Sequence, residues 1–285
     1  MSTLDAVNPS LRPAGGNGRA QQDPNVVRIA AVGDVHCSQQ CRGTLQTVLA
    51  QVSASADVLA LCGDLTNHGL PEEAKALVAE LQAVHEMPVV AVLGNHDYES
   101  GQVDELRKIL TGAGVRVLDG DHVEIKGVGI AGVKGFGGGF ERGTLSAFGE
   151  PAIKHFVQEA IDEVHKLESA LARTATEKKI AVMHYSPIHA TVEGEPPEIF
   201  AFLGSGRLEE PLNRYKVTAA VHGHAHKGAP EGRTSGGIPV YNVAVPVMRA
   251  AYPTRPPFRV LDVHVPAVAA GAAQASEAPI ESDVG

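Results

Sequence analysis

Five times along this chain a short apolar segment stops abruptly at a cluster of Asp, Asn or His residues. VVRIAAV (Val26–Val32), VLALC (Val58–Cys62) and VVAVL (89–93) are apolar throughout, as expected of central strands covered on both faces. They end in GDVHC, GDLTNHG and GNHDYES. Two later strands, predicted over 180–183 and 217–221, end in His184 and in the HGHAH run at 222–226. Helical periodicity fills the intervals, at 44–52, at 71–85 with Pro71 at its first position, and after Ser100. The longest helix is predicted over 151–173, with Ile153, Phe156, Val157, Ala160, Ile161, Val164, Leu167 and Leu171 facing inward. Short strands with glycine turns follow at 115–117, 123–125 and 128–131, and further strands at 240–243 and 258–263. Strands alternating with amphipathic helices predict a layered α/β fold. In such sheets the ligand crevice lies at the carboxyl ends of the strands, so groups far apart in sequence can converge there.

Length and charge narrow the field. With 285 residues, one large domain or two small ones are possible; no interior linker is visible, so one domain over 26–264 is expected. The tails, 1–25 and 265–285, are rich in Pro, Gly, Asn and Gln or in Ala, and are expected to be disordered. No apolar run approaches the roughly 18 residues of a spanning helix, so no membrane partner is expected. The net charge of −9, with no basic block, argues against binding a nucleic-acid polymer through its overall field. Cys37, Cys41 and Cys62 cannot all pair within the chain, and no signal peptide is recognisable. A reducing, cytoplasmic setting is therefore expected, with Cys37 and Cys41 as loop and helix-start thiols and Cys62 in the core. Histidine is the unusual component, with 13 copies against 7 Phe, 5 Tyr and no Trp.

Each cluster alone is a weak signal, since D-x-H or G-D is common. Together, Asp34-Val35-His36, Gly63-Asp64-Leu65-Thr66-Asn67, Gly94-Asn95-His96-Asp97, His184 and Gly223-His224-Ala225-His226 form an ordered set. In this set the chain resembles the calcineurin-like metallophosphoesterases, and most of all their class III phosphodiesterase-like branch. The resemblance implies a four-layer αββα sandwich with a dinuclear site at the strand ends. It implies one metal on Asp34, His36 and His226, a second on Asn95, His184 and His224, and Asp64 bridging both. A carboxylate has two oxygens and can span two cations. Ligation by N and O without thiolate suits Mn, Fe, Zn, Co or Ni, with Mn or Fe/Mn favoured. Two divalent ions outweigh two carboxylates and one hydroxide, so the centre stays positive and fits an anionic substrate.

The implied activity is hydrolysis of small phosphodiesters, cyclic nucleotides among them, by in-line attack of a metal-bridging hydroxide. His96 is the expected acid at the leaving oxygen, with Asp97 orienting and charging its ring. Phosphomonoester hydrolysis is the first alternative and a catalytically silent scaffold a remote one. A protein phosphatase is disfavoured because Asn67-His68-Gly69 stands where Asp-Arg-Gly would be, and a purple acid phosphatase because Asn67 stands where its tyrosine would be. The glycine-rich stretch 132–143 reads as a mobile loop bordering the site, and 186–206 as lining its other side. His68, Phe136, Arg142, His189 and Arg207 are the candidate substrate contacts, and Phe140 is a further one. His222 is expected to pack or to support the ligands.

Overall fold

The computed structural model describes residues 23–266. The two expected tails fall outside the described residues except for 23–25 and 265–266. The elements run β1 (Val26–Val32), α1 (Gln46–Ser55), β2 (Val58–Cys62), α2 (Pro71–Leu81), β3 (Val89–Val92), α3 (Asn95–Tyr98), α4 (Val103–Gly112), β4 (Arg116–Val117), β5 (Asp121–Ile125) and β6 (Val128–Val133). After these come α5 (Pro151–Arg173), β7 (Lys178–Met183), α6 (Phe200–Leu203), α7 (Glu209–Arg214), β8 (Ala219–His222), β9 (Glu231–Arg233), β10 (Pro239–Asn242), α8 (Val245–Ala251) and β11 (Arg259–His264).

Two sheets form, in the orders β11-β1-β2-β3-β4 and β5-β6-β7-β8-β10-β9. Both are mainly parallel, with antiparallel pairs at their margins, β11 on β1, β5 on β6 and β9 on β10. Strand alternation divides the core into three layers. Ile29, Ala31, Val58, Ala60, Val90 and Val92 meet Ile130, Ile180, Val182 and Val221 between the sheets. The opposite face of the first sheet, including Ala30, Leu59 and Leu61, packs on Leu49, Val52 and Leu77 of α1 and α2. That of the second, including Ala131, Ala181 and Met183, packs on Leu167, Ala170 and Leu171 of α5. The αββα sandwich is therefore as expected, because continuous apolar strands must be covered on both faces.

Several elements differ from the reading of the sequence. Helix α1 begins later than 44: its cap residue, Leu45, has no capping side chain. Instead, buried Glu80 of α2 accepts from the backbone N–H groups of Gly43 and Leu45 (2.5 and 2.9 Å). Ile153 is 44% exposed, because the first turn of α5 lies wholly in solvent ahead of the stretch that covers the sheet. Helices α3, α6, α7 and α8 have no more than 7 residues each, too short to show a period. Cys37 and Cys41 are joined as a disulfide, their Cα atoms 5.3 Å apart, where free thiols were expected; Cys62 is free and buried. Cysteine usage thus gives no argument for a reducing compartment. Among the described residues no helix is long and apolar enough to cross a membrane.

Leu167 is fully buried between α5 and the second sheet. Leu167→Ala should destabilise the fold by about 2–5 kcal/mol in urea unfolding, the range for an uncompensated core cavity. Metal stoichiometry should not change.

Candidate metal centre

Backbone geometry at the strand ends is unusual and concentrated. Asp34, His36, Asp64 and His224 all have positive φ, at 57°, 43°, 48° and 68°. Such conformations cost non-glycine residues about 1–3 kcal/mol each and persist only where surrounding structure enforces them. The enforcement is visible: Asp34 N–H donates to Gly63 O and His36 N–H to Asp64 O (both 3.0 Å), so the β1 and β2 ends hold each other. Glycine supplies the space. A Cβ on Gly63 would lie 2.5 Å from His184 Nδ1, one on Gly94 would strike the Asp64 carboxylate, and one on Gly223 that of Asp34. The glycines of the G-D, G-N-H and G-H motifs are thus required by close approach of side chains from other strand ends.

Seven side chains converge. Asp34, His36, Asp64 and His226 form one group whose donor atoms lie within 4.8 Å of one another, and Asp64, His184 and His224 form a second within the same limit. Asp64 belongs to both. Asn95 joins the second group, its Oδ1 2.9 Å from His184 Nε2. On the other side, His226 Nε2 is 2.9 Å from Asp34 Oδ1, and His36 Nε2 is 3.8 Å from Asp64 Oδ2.

These residues fit cations. Burial drives His184 and His224 down to about 3, so both rings are neutral and each carries one proton. The His184 proton goes from Nδ1 to Cys62 O (3.0 Å) and that of His224 from Nε2 to Phe202 O (3.0 Å). His184 Nε2 is then a bare lone pair facing two further acceptors, Asn95 Oδ1 and Asp64 Oδ1 (2.9 and 3.3 Å). Three acceptors with no proton among them are a ligand set awaiting a positive ion. His36 offers a second sign, for both its ring nitrogens are buried without a hydrogen-bond partner. Burial, with Asp64 nearby, also raises the Asp34 carboxyl to about 6, a penalty that a bound cation would remove.

His96 stands beside the first group, its ring 4.6 Å from that of His36. Its Nδ1–H donates to Asn67 O (2.7 Å), leaving Nε2 directed to the centre, 4.0 Å from Asp64 Oδ2. Asp97 was expected to hold this ring, and it does not. Its fully buried carboxylate accepts from the N–H groups of Leu65, Thr66 and Gly94 and from the Thr66 hydroxyl, at 2.6–3.1 Å. At the third position of a helical turn, Asp97 points back at its own N-terminus and across to the β2 loop. It is a positioning residue that locks the Asp64 and Asn95 segments together. The carboxylate near the ring is that of Glu99, its Oε2 3.8 Å from His96 Nδ1.

The expected substrate contacts divide. Phe136 lies near the centre, its ring 5.8 Å from that of Tyr185, which in turn is 4.3 Å from the His224 ring. His68 is exposed and engages Glu99 (3.3 Å). His189 is spent on packing with Phe140 and Phe200 and on Glu193 (3.5 Å), and Phe140 is buried. Arg207 donates to Leu145 O (2.7 Å), while Arg142 is exposed on the turn Glu141–Gly143. His222 is buried, donating to Gly223 O and accepting from the Thr191 hydroxyl (both 2.8 Å), a supporting role. The glycine-rich stretch, expected as a mobile loop, is tied down by backbone hydrogen bonds. Backbone bonds from Gly138 to Ala201, Gly139 to Gly204 and Gly206 to Gly139 fasten it to the 201–206 segment. Lys134, Tyr185, Phe156 and Phe202 near the centre were missed, since none lies in a recognisable motif.

An αββα sandwich with Asp, His and Asn side chains gathered at its strand ends is the arrangement of a metal-dependent phosphoesterase. The family model for calcineurin-like phosphoesterases matches residues 27–228, and the chain belongs to that family. A comparison with curated proteins gave no match. Among solved structures, the chain is similar to a phosphopantetheinyl hydrolase from Mycobacterium tuberculosis, at 14% identity and a TM-score of 0.59, covering 84% of this chain and 97% of that one. It also aligns with the TT1561 protein of Thermus thermophilus, at 16% identity and a TM-score of 0.49, over 85% of this chain and 100% of that one. A purple acid phosphatase from yellow lupin seeds aligns at 13% identity and a TM-score of 0.49, over 78% of this chain and 44% of that one.

Reconstitution with Mn²⁺ should load two ions per chain by elemental analysis, and Asp64→Ala should weaken both sites. Saturation at one ion would contradict the shared-ligand arrangement. Gly94→Ala should reduce metal content without substituting a ligand, because its Cβ would displace the Asp64 carboxylate.

Proposed function

We propose that this chain is a dinuclear metal-dependent phosphodiesterase acting on small diesters, cyclic nucleotides among them. One observation carries the dinuclear reading: Asp64 is common to both donor groups. Asp34, His36, His226 and Asp64 would hold one divalent ion, and Asn95, His184, His224 and Asp64 the other. Once bound, such a pair supplies an acidified water and polarises phosphoryl oxygens.

The protein's own part is orientation and proton delivery. His96 keeps Nδ1–H on Asn67 O, so the proton that reaches a leaving oxygen is the one on Nε2 of its imidazolium form. With 37% of its side chain exposed, it can meet substrate. Cys62 O and Phe202 O fix the tautomers of His184 and His224, so each presents one lone pair.

The diester reading takes Arg207 as held on Leu145 O through Nη2, although its Nη1 is buried without a partner. A monoester dianion gains more than a diester from a guanidinium fork. With Mn²⁺ at neutral pH, kcat/KM should be higher for bis(nitrophenyl) phosphate than for nitrophenyl phosphate. A monoester preference abolished by Arg142→Ala or Arg207→Ala would overturn the diester reading.

His96→Ala should keep two ions while slowing turnover by about 10²–10⁴, the range of lost acid catalysis. The defect should shrink for nitrophenyl leaving groups, which need little protonation. Loss of metal, or equal defects across leaving groups, would contradict the role.

A further inference from the structure

Beside the second ligand group the chain gathers four of its few aromatic rings into a closed circuit. Tyr185, next in sequence to His184, lies with its ring 4.3 Å from that of His224. Phe136 follows at 5.8 Å from Tyr185, Phe156 at 4.8 Å from Phe136, and Phe202 at 5.9 Å from Phe156. The backbone closes the ring, because Phe202 O accepts the His224 Nε2–H at 3.0 Å. The segments come from the β6 loop, α5, the end of β7 and α6. Gly137 lets them meet: a Cβ there would lie 2.6 Å from Ala201 O and 3.0 Å from the Phe156 ring.

This bowl is open. Phe202 is 58% exposed, and Phe136 and Phe156 are half-buried, in a chain whose other large side chains are mostly enclosed. Its back is fixed by Lys134, whose ammonium stands 4.7 Å from the Phe136 ring centre and 5.4 Å from that of Tyr185 while donating to Gly135 O. Tyr185, the ring that adjoins the ligand group, is itself buried, and exposure rises along the cluster through Phe136 and Phe156 to Phe202.

We propose that Tyr185, Phe136, Phe156 and Phe202 form an aromatic subsite that takes a flat aromatic substituent of the phosphoester, an aryl ring or nucleobase, on the His224 side of the centre. The inference rests on the phosphoesterase reading and deepens it. Direction follows from the two faces of Asp64. His96, the acid for the leaving oxygen, lies on the Oδ2 side with His36, whereas the bowl adjoins His184 and His224 on the Oδ1 side. The ring in the bowl is therefore the substituent that stays on phosphorus. Stacking accepts any flat π-face, so the subsite selects aromatic over alkyl esters without reading a particular base.

The test keeps the leaving group constant. The Mn²⁺-reconstituted full chain is assayed with 4-nitrophenyl phenyl phosphate and 4-nitrophenyl ethyl phosphate, and calorimetry measures binding of phenylphosphonate and ethylphosphonate. The phenyl ester should lead by about tenfold in kcat/KM, mainly through KM, and phenylphosphonate should bind about tenfold more tightly. Phe202→Ala should bring both ratios to within about twofold. Phe202→Trp should keep them, as should Phe148→Ala at an exposed ring outside the bowl. Turnover of both esters with a ratio near one in the wild type, or a ratio that survives Phe202→Ala, refutes the subsite and leaves the phosphoesterase reading standing. If the two-metal protein hydrolyses neither ester, the diesterase reading falls, and the phosphonate ratio alone decides: a tenfold preference lost in Phe202→Ala upholds the bowl, and equal binding overturns it.

Discussion

The site depends on one carboxylate at the end of β2. Asp64 is almost completely buried and sits in a left-handed backbone conformation. It takes an N–H from His96 (2.9 Å), while His184 and His36 approach its two oxygens from opposite sides (3.3 and 3.8 Å). Buried negative charge is expensive, and among the described residues the ion-pair partners of this one are histidines, not a lysine or arginine. Beside it stand the imidazoles of His184 and His224, held neutral by burial, and the Asn95 carboxamide near His184. Such a donor set would gain from cations, so the local cost of the fold and its chemistry have one origin.

Everything nearby serves to keep that carboxylate where two sheets meet. Gly63, Gly94 and Gly223 allow side chains to approach bare backbone. Asp97 gathers four donors from the β2 and β3 ends. Val243 O accepts from Gly33 N–H (2.9 Å), tying the first sheet to the second beneath the ligands. The apolar layer between the sheets supplies the rigidity that holds the strained residues in place.

Much of this was legible in the sequence, and the boundary is physical. Apolar runs that end in Asp, Asn and His report both a strand and the chemistry at its tip, so the sandwich and its seven converging side chains could be read together. The long helix Pro151–Arg173 matched its predicted limits because 23 residues give the 3.6-residue period room to show. What failed was the orientation of individual groups. Asp97 adjoins His96 in sequence, yet in a helical turn its side chain faces a different direction and finds backbone donors instead. The glycine-rich stretch suggested mobility, whereas its glycines serve close packing on 201–206. The aromatic bowl draws on four separate segments, so although Phe136 was a candidate contact and Phe156 fell in a helical period, no pattern in the sequence joins the four rings.

The central claim is that one carboxylate joins two ions. Crystals grown with Mn²⁺ and measured across the manganese absorption edge test it directly. Two anomalous peaks about 3.5–4 Å apart, with one Asp64 oxygen on each, are the predicted result. A single peak, or two peaks with Asp64 bound to only one, would contradict it.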